Sequence, residues 1–361
     1  MIFSIIVPVC NGQDFLKEAV DSALSQKVHT DDSFEIILVE NGSTDDTPKI
    51  CDEYAASHDN VSVIHEGRIG LYQARQEGIK IAKGDYILAL DADDKLKENL
   101  LETLGEFIRS FVKTAGPEEH SEADEPDLPE HGSVPDLIFY NAADMDKPGD
   151  KLRDFPFEEG RLYSGEDKKA FKELVVKGDK LNAMWIKCIR RDIAFIDTRI
   201  EGLNYGEDLY QTAEYVDRAS GIAFIDKVLY LYRKSGVSLT ASYNKAFLDN
   251  QKIVWNKVDE LTGKWGIDAS PLNERKALTC AIAAVRIVYS ALSLSDKKTK
   301  LKELFEDDFY KKYARFDLPE WAPIEDVIIH EKANDGGMGA TFKLLAEAAK
   351  YDLKNAIKRR I

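Results

Sequence analysis

Asp91-Ala92-Asp93-Asp94 places three carboxylates directly behind the apolar run Tyr86 to Leu90. Like charges crowded at the end of a buried strand repel one another, and a divalent cation relieves that repulsion. Carboxylate oxygens are hard ligands that suit Mg²⁺ or Mn²⁺, ions that also bind phosphate oxygens. The chemistry on offer is a metal bridge between protein and a nucleotide diphosphate; the alternative is a capping turn before a helix starting near Lys97. A second cluster, Glu40-Asn41-Gly42-Ser43-Thr44-Asp45-Asp46-Thr47-Pro48, follows the run Phe34 to Val39. Glu40 to Gly42 can turn sharply and present a carboxylate and an amide to a base or ribose. Asp45 and Asp46 ahead of Pro48 read instead as a helix start. In a third, Gly206-Glu207-Asp208, two carboxylates open an amphipathic stretch carrying Leu209, Ala213 and Val216. A carboxylate there can take a proton from an attacking alcohol, and a helix N-terminus favours its ionised form. Asp208 with Gln211 three residues later equally fits a capping box.

Weaker pieces surround these. Pro8-Val9-Cys10-Asn11-Gly12 is no dinucleotide fingerprint, because no GxGxxG follows the strand. It reads either as a loop touching a nucleotide from the side or as Asn11 capping the next helix. Arg68 and Arg75 supply two cations after Val61 to Ile64, and Tyr232-Arg233-Lys234 with Ser238-Leu239-Thr240 brings basic and hydroxyl groups together. Each could contact a diphosphate or lie on a solvated surface. The six histidines include no pair at i, i+4, which argues against a histidine metal site.

The elements that must position these residues follow from periodicity. Phe3–Pro8, Phe34–Val39, Val61–Ile64 and Tyr86–Leu90 are short apolar runs rich in branched side chains, and they read as strands. Helical patterns stand between them: Phe15 to Leu24, Pro48 to Ala56 and Leu71 to Ala82. Such alternation predicts a mostly parallel sheet covered on both faces, with ligands beyond the carboxyl ends of its strands. The segments after Pro8, Val39, Ile64 and Leu90 are then where a ligand is to be sought.

The rest of the chain bounds the problem. A length of 361 residues with 44% hydrophobic and 32% charged side chains describes a folded protein with room for two domains. A net charge of −16 argues against nucleic acid as a partner. The four cysteines form no CxxC pair and the N-terminus has no signal-peptide pattern, so a cytoplasmic location is expected. Residues 115–135 carry seven acids, four prolines and no Lys or Arg, and they read as a mobile acidic insertion. A strand resumes at Asp136–Asn141. From Lys245 the pattern is helical only, which puts a domain boundary near Ser242. Ala277 to Leu294 is apolar but centred on Arg286, so it reads as a buried helix rather than a membrane span. The last helix, about 340–361, carries six basic residues against two acids beside Phe342, Leu345, Leu353 and Ile357. It is either a solvated helix packed on the domain or a peripheral contact with an anionic membrane.

Taken in order, Ser4-Ile5-Ile6-Val7-Pro8-Val9-Cys10-Asn11, Val39-Glu40-Asn41-Gly42-Ser43-Thr44-Asp45, Ala74-Arg75-Gln76-Glu77-Gly78-Ile79 with Ala82-Lys83-Gly84-Asp85-Tyr86-Ile87, Leu90-Asp91-Ala92-Asp93-Asp94, Trp185-Ile186-Lys187 and Gly206-Glu207-Asp208 form a series. Over about residues 1–240 this series resembles the family 2 glycosyltransferases of the GT-A fold, inverting nucleotide-sugar transferases of bacterial polysaccharide assembly. The resemblance implies a Rossmann-like α/β domain over 1–240, with a nucleotide-binding half to about 112 and an acceptor-binding half over 136–240. A helical region over 241–361 lies outside the shared pattern. It implies that Pro8, Val9, Asn11, Glu40, Asn41, Arg68, Arg75, Asp91, Ala92 and Asp93 serve the donor nucleotide. Asp91, Asp93 and Asp94 would hold Mn²⁺ or Mg²⁺, with Asp91-Ala92-Asp93 as the family's DxD motif. Asp208 would be the catalytic base, with Glu207 beside it, and Arg233, Ser238 and Lys187 would meet diphosphate or acceptor. Two departures stand out: Glu40-Asn41 occupies the place of a usual Asp-Asp pair, and Glu66-Gly67-Arg68-Ile69-Gly70 replaces a loop usually rich in Asn and Gly. The expected reaction moves a sugar from a UDP-sugar to a hydroxyl of a glycan or lipid-linked acceptor. The alternatives are a non-catalytic sugar-nucleotide-binding or scaffolding protein of the same fold, and an aspartate phosphatase. The phosphatase lacks support, because no Thr or Val follows the Asp cluster at the required place and the cluster does not follow the first strand.

Overall fold

The computed structural model describes residues 1–114, 131–234, 243–333 and 336–358. Most of the acidic insertion, Ser238 and the expected boundary at Ser242 lie outside the described residues. The chain divides into two compact units, Met1–Val175 with Asp179–Ser235, and Val176–Gly178 with Gly236–Ile361.

The first unit begins with β1 (Ile2–Val9), α1 (Leu16–Leu24), β2 (Ser33–Asn41), α2 (Thr47–Ser57), β3 (Val61–Glu66), α3 (Leu71–Ile81), β4 (Tyr86–Ala89), β5 (Lys95–Leu96) and α4 (Leu100–Thr114). It continues with β6 (Leu137–Asp144), β7 (Lys147–Lys151), β8 (Tyr163–Ser164), α5 (Lys169–Lys177), β9 (Lys187–Arg190), α6 (Arg191–Ala194), α7 (Glu207–Arg218) and β10 (Gly221–Tyr232). The sheet order is β3-β2-β1-β4-β9-β6-β10-β5, with β7 on β6 and β8 on β10. β1 pairs in parallel with β2 and β4, β2 with β3, and β6 with β10. β9 runs antiparallel between β4 and β6. The expected, mostly parallel sheet is therefore a mixed one. Two reversals across β9 leave β6 and β10 pointing the same way as β4, so the carboxyl ends of β1, β2, β3, β4, β6 and β10 share one edge.

Burial explains the strands. Every residue of β1 from Phe3 to Val9 is buried, as a strand covered on both faces requires. Pro8 is tolerated there because β4 pairs β1 only as far as Ile6, so the missing N–H leaves no ladder gap on that side. α3 packs on the sheet through Gly78, where a Cβ would lie 2.6 Å from Ile6 Cγ2 and 3.0 Å from Val39 Cγ2. That close approach sets the height of α3, and with it the position of Arg75 one turn earlier.

The second unit contains α8 (Phe247–Trp265), α9 (Ser270–Val288), α10 (Leu294–Glu306), α11 (Asp308–Tyr313), α12 (Ile324–Ala333) and α13 (Gly337–Lys358). Trp255 Nε1 donates to Thr279 Oγ1 at 3.1 Å, tying α8 to α9. Arg286 is buried on α9 with its guanidinium 4.2 Å from the Phe247 ring centroid, a cation–π contact. Among the described residues no helix is long and apolar enough to cross a membrane, as the central Arg286 implies.

Candidate active site

The loops at the carboxyl edge are laced to one another. After β1, Asn11 takes a left-handed conformation (φ 54°), one of the few non-glycine residues that does so readily. Its N–H donates to Ser43 Oγ at 2.9 Å, and its Oδ1 accepts from the Thr44 N–H at 2.8 Å. The Gly12 N–H donates to Thr47 Oγ1 (2.8 Å), and the Gln13 N–H to Asp45 Oδ2 (3.3 Å). Asp45 Oδ1 accepts from the Thr47 N–H (3.0 Å), so Asp45 performs the capping expected of it. Asp46 makes no side-chain cap. Asn11 does not cap α1, which starts at Leu16; it binds the first loop to the second. Pro8 and Val9 are buried strand residues that support this loop and expose no side chain to a ligand.

The donor-binding expectation for the second loop needs correction. Glu40 is buried, with Oε1 accepting from the Ser43 N–H (2.5 Å) and Oε2 3.6 Å from His65 Nδ1. Its longer side chain folds back onto its own turn. Asn41 is also buried, and its Oδ1 accepts from the Ile69 N–H at 2.9 Å, which anchors the loop after β3. Gly42 (φ 70°) has no room for a Cβ, which would lie 2.8 Å from the Arg68 nitrogen. Arg68 is exposed and donates from Nη2 to Cys10 Sγ at 3.3 Å, closing the third loop over the first.

Arg75 holds the centre. It is 2% exposed; Nη1 donates to Asp208 Oδ1 at 2.7 Å and Nη2 to Asp91 Oδ1 at 3.1 Å. Gln211 Oε1 accepts more weakly from Nη1 at 3.4 Å. Arg75 is thus not an exposed donor-binding residue but an internal cation joining two candidate functional carboxylates. Burial alone would pull its pKa down; Asp208 and then Asp91 hold it above its ordinary value. The Asp91 and Asp208 side chains each remain 29% exposed. Burial raises the pKa of Asp91, reinforced by Asp208 and Asp93 and opposed by Arg75. Glu207, buried beside Asp208, is pushed up to about 8, mainly by burial and then by Asp208. Asp208 makes no capping bond at the head of α7, so its spacing to Gln211 is not used as a capping box.

The Asp91–Asp94 turn is pinned from β10. Tyr230 Oη accepts from the Asp91 N–H (3.2 Å) and donates to Asp94 Oδ2 (2.7 Å). Asp94 Oδ1 accepts from the Arg233 N–H at 2.7 Å. Both oxygens of Asp94 are therefore occupied in the interior, and burial followed by Asp91 raises its pKa to about 8. It is a turn anchor, not the third metal ligand expected. Arg233 Nε donates to the Asp93 carbonyl (2.7 Å), Nη2 pairs with Glu18, and the guanidinium lies 5.0 Å from the Phe15 ring centroid. Ala92 faces the first loop: a Cβ on Gly12 would lie 3.7 Å from its own. The Asp93 carboxylate is half-buried and has no hydrogen bond or ion pair among the described residues.

Asp93 and the Asp91 oxygen not bonded to Arg75 are hard donors two residues apart in the chain. Among the described residues no three His, Cys, Asp or Glu side chains converge on a ready-made metal cage. The donor set still fits Mg²⁺ or Mn²⁺, ions often held by one or two carboxylates with substrate phosphates and waters completing the shell.

Lys187 also departs from the expected contact with diphosphate or acceptor. It is 0% exposed, and its Nζ donates to the carbonyls of Leu181 (2.7 Å), Asn182 (3.0 Å) and Ala183 (2.6 Å). All three donors are spent on one loop, so none reaches a phosphate or acceptor. Burial drives its pKa well below the ordinary lysine value. Ser238 lies outside the described residues. Sequence reasoning missed Tyr230 and the stacking of Trp185 on it (centroids 4.8 Å apart). The alternation Ile222, Phe224 … Tyr230, Tyr232 was the available signal for that strand.

The model of the family described as Glycosyl transferase family 2 matches residues 4–125. Glycosyltransferase GlyG of Streptococcus pneumoniae is 41% identical over 109 residues, covering 30% of this chain and 35% of GlyG. Glycosyltransferase GlyA of the same organism is 25% identical over 245 residues, covering 68% of this chain and 32% of GlyA. The chain thus spans about a third of the length of these two curated relatives. The crystal structure of S. aureus TarS 1–349 in complex with UDP-GlcNAc matches with a TM-score of 0.51 at 17% identity, over 98% of this chain and 89% of that one. The family 2 glycosyltransferase match rests on residues 4–125, the strands whose carboxyl ends lead into the Asp91 turn, and the mixed sheet flanked by helices is the GT-A fold.

Proposed function

We propose that the chain transfers a sugar, with inversion, from a UDP-sugar to a hydroxyl of a glycan or lipid-linked acceptor in cell-surface polysaccharide synthesis. One observation carries this reading: a single buried guanidinium, Arg75, bonds both Asp91 and Asp208, residues that lie on opposite sides of β9 in the chain order. The DxD turn and the head of α7 thereby form one polar cluster. TarS, a protein of like fold, was crystallised with UDP-GlcNAc, which supports a UDP-linked donor.

In this mechanism Asp208 keeps one oxygen on Arg75 and offers the other to the acceptor hydroxyl. The hydroxyl proton passes to that carboxylate while the acceptor oxygen forms a bond to the anomeric carbon. The bond from that carbon to the diphosphate oxygen breaks on the opposite face, and its electron pair leaves with the nucleotide diphosphate. Asp93 and Asp91 would hold Mn²⁺ or Mg²⁺, which when bound neutralises charge on the departing diphosphate. Arg75 fixes the spacing of Asp91 and Asp208, so donor and base are aligned before substrate arrives. Asn11, Arg68 and Ala92 sit on the laced loops that face the nucleotide, and Arg233 borders the diphosphate from the end of β10.

The test separates binding from chemistry. UDP with Mn²⁺ at about 100 times its dissociation constant should stabilise both the natural chain and Asp208→Asn by about 2.7 kcal/mol, read as a shift in thermal midpoint. Transfer and donor turnover should fall at least ~10²-fold in Asp208→Asn. Unchanged turnover would remove Asp208 as the base, and a stabilisation by UDP that ignores metal would remove the metal assignment.

A further inference from the structure

Arg153 lies in the segment between β7 and β8, and two contacts place its guanidinium. Nη1 donates to the Lys180 carbonyl at 2.7 Å, and the guanidinium carbon lies 5.9 Å from the Trp185 ring centroid. Neither contact neutralises it. Among the described residues no carboxylate stands within ion-pair distance of Arg153. Arg75, Arg109, Arg199, Arg218 and Arg233, by contrast, all sit against carboxylates. A half-buried cation without an ion-pair partner, in a chain of net charge −16, carries a desolvation cost that one carbonyl and an aromatic face offset only in part. Burial lowers its pKa, and the groups opposing that are Asp179 and Asp208.

Its surroundings are those of the proposed base. The loop that holds Arg153 continues from Lys180 to Leu181 and Asn182, whose carbonyls accept from Thr212 Oγ1 at 3.4 and 3.0 Å. Thr212 is four residues after Asp208, so it lies one turn along the same face of α7. Trp185, beneath the guanidinium, stacks on Tyr230, whose hydroxyl pins the Asp91–Asp94 turn. Arg153 is therefore suspended from the loop along the Asp208 face of α7, over an aromatic pair anchored to the Asp91 turn. An anionic acceptor approaching Asp208 also meets Asp91 and Asp93, and Arg75 is shared between Asp208 and Asp91, so a second cation would relieve the remaining repulsion. A neutral acceptor needs no such cation.

We propose that Arg153 forms an anion subsite beside Asp208, taking a phosphate or carboxylate group carried by the acceptor. This rests on the assignment of Asp208 as the base that meets the acceptor. The guanidinium fork matches two oxygens of either group, and a lysine in its place would act only as a point charge.

Glycerol 3-phosphate and glycerol serve as probes, titrated calorimetrically into the full chain with and without UDP and Mn²⁺. The natural chain should bind glycerol 3-phosphate and not glycerol. Arg153→Gln should weaken that binding at least tenfold and Arg153→Lys at least threefold, while UDP affinity changes less than twofold. Equal binding of glycerol 3-phosphate by the natural chain and Arg153→Gln, or none by the natural chain, overturns the subsite. A tenfold loss of UDP affinity in Arg153→Gln with glycerol 3-phosphate unaffected assigns the guanidinium to the donor diphosphate and overturns its assignment to the acceptor. Melting curves check that the variants fold; should Arg153→Gln not fold, Arg153→Lys decides the question. If the chain binds glycerol 3-phosphate through Arg153 but neither binds UDP nor turns over UDP-sugars, the proposed UDP-sugar transfer fails while the subsite stands.

Discussion

At the scale of single residues, the decisive feature is that one cation serves two carboxylates. Arg75 spans Asp208 and Asp91 with different nitrogens, and its Nε is buried with no partner. Removing that charge leaves two partly buried carboxylates facing each other. Breaking a buried pair from one side typically costs about 3–5 kcal/mol, so Arg75→Gln should lower the urea midpoint by an amount of that order. Arg75→Lys restores the charge but cannot reach both partners with a planar fork. It should recover most of the stability and little of the turnover. Recovery of both by Lys would show that charge alone matters and that the two-ended geometry does not. Lys187 teaches the opposite lesson: a lysine expected at a phosphate is instead consumed by three carbonyls that shape the loop beside α7.

At the scale of elements, helix and strand ends decide what each cluster can do. Gly206 (φ 80°) takes the left-handed conformation that turns the chain into α7 and brings Glu207 and Asp208 to the sheet edge. Gly78 brings α3 close enough to β1 for Arg75 to reach across. In the helical unit, Asp326 in the first turn of α12 is buried, and burial followed by Glu325 raises its pKa from 3.8 to about 6. The folded chain then keeps a proton that the unfolded chain has already lost between about pH 4 and 6. Stability contributed by this group is present below pH 4, falls as pH rises through that window by at most about 1.4 kcal/mol per pH unit, and is fully lost above 6. Asp326→Asn, which does not titrate, should flatten this fall when urea midpoints are compared from pH 4 to 7. Parallel curves for the two proteins would show that Asp326 ionises in the fold at its ordinary value.

At the scale of the whole molecule, the question is where the chain works. Along α13, Met338, Phe342 and Leu353 are 81%, 67% and 64% exposed, and with Ala349 they fall on one face at helical spacing. Lys343, Lys350 and Lys354 run beside that face. An apolar stripe flanked by lysines has the form of an interfacial helix. Of the two readings open for this helix, we propose the peripheral membrane contact. The chain should sediment with vesicles containing anionic lipid and far less with neutral ones. Phe342→Asp should reduce the bound fraction several-fold without changing UDP affinity. Equal sedimentation with both vesicle types, or with neither, would assign the stripe another role.

Much of the fold was legible in the sequence because it rests on local signals. Branched apolar runs alternating with helical spacing specify α/β order. Pro48 and the acids ahead of it mark a helix start, and Arg286 within an apolar stretch excludes a membrane span. The Asp91 and Asp208 clusters were legible because carboxylates at element ends are costly without a purpose. The antiparallel β9, the turning of Glu40 onto Ser43 and the burial of Lys187 were not legible, since each depends on neighbours far away in the chain. The sequence by itself determined which residues could act and near which strand ends they lie, because periodicity and turn chemistry are read over a few residues. Only the tertiary structure decided that Arg75 would join Asp91 to Asp208, that Asp94 would face inward and that Arg153 would stand without an ion-pair partner among the described residues. Burial and charge pairing are properties of groups brought together in space, and no spacing along the chain encodes them.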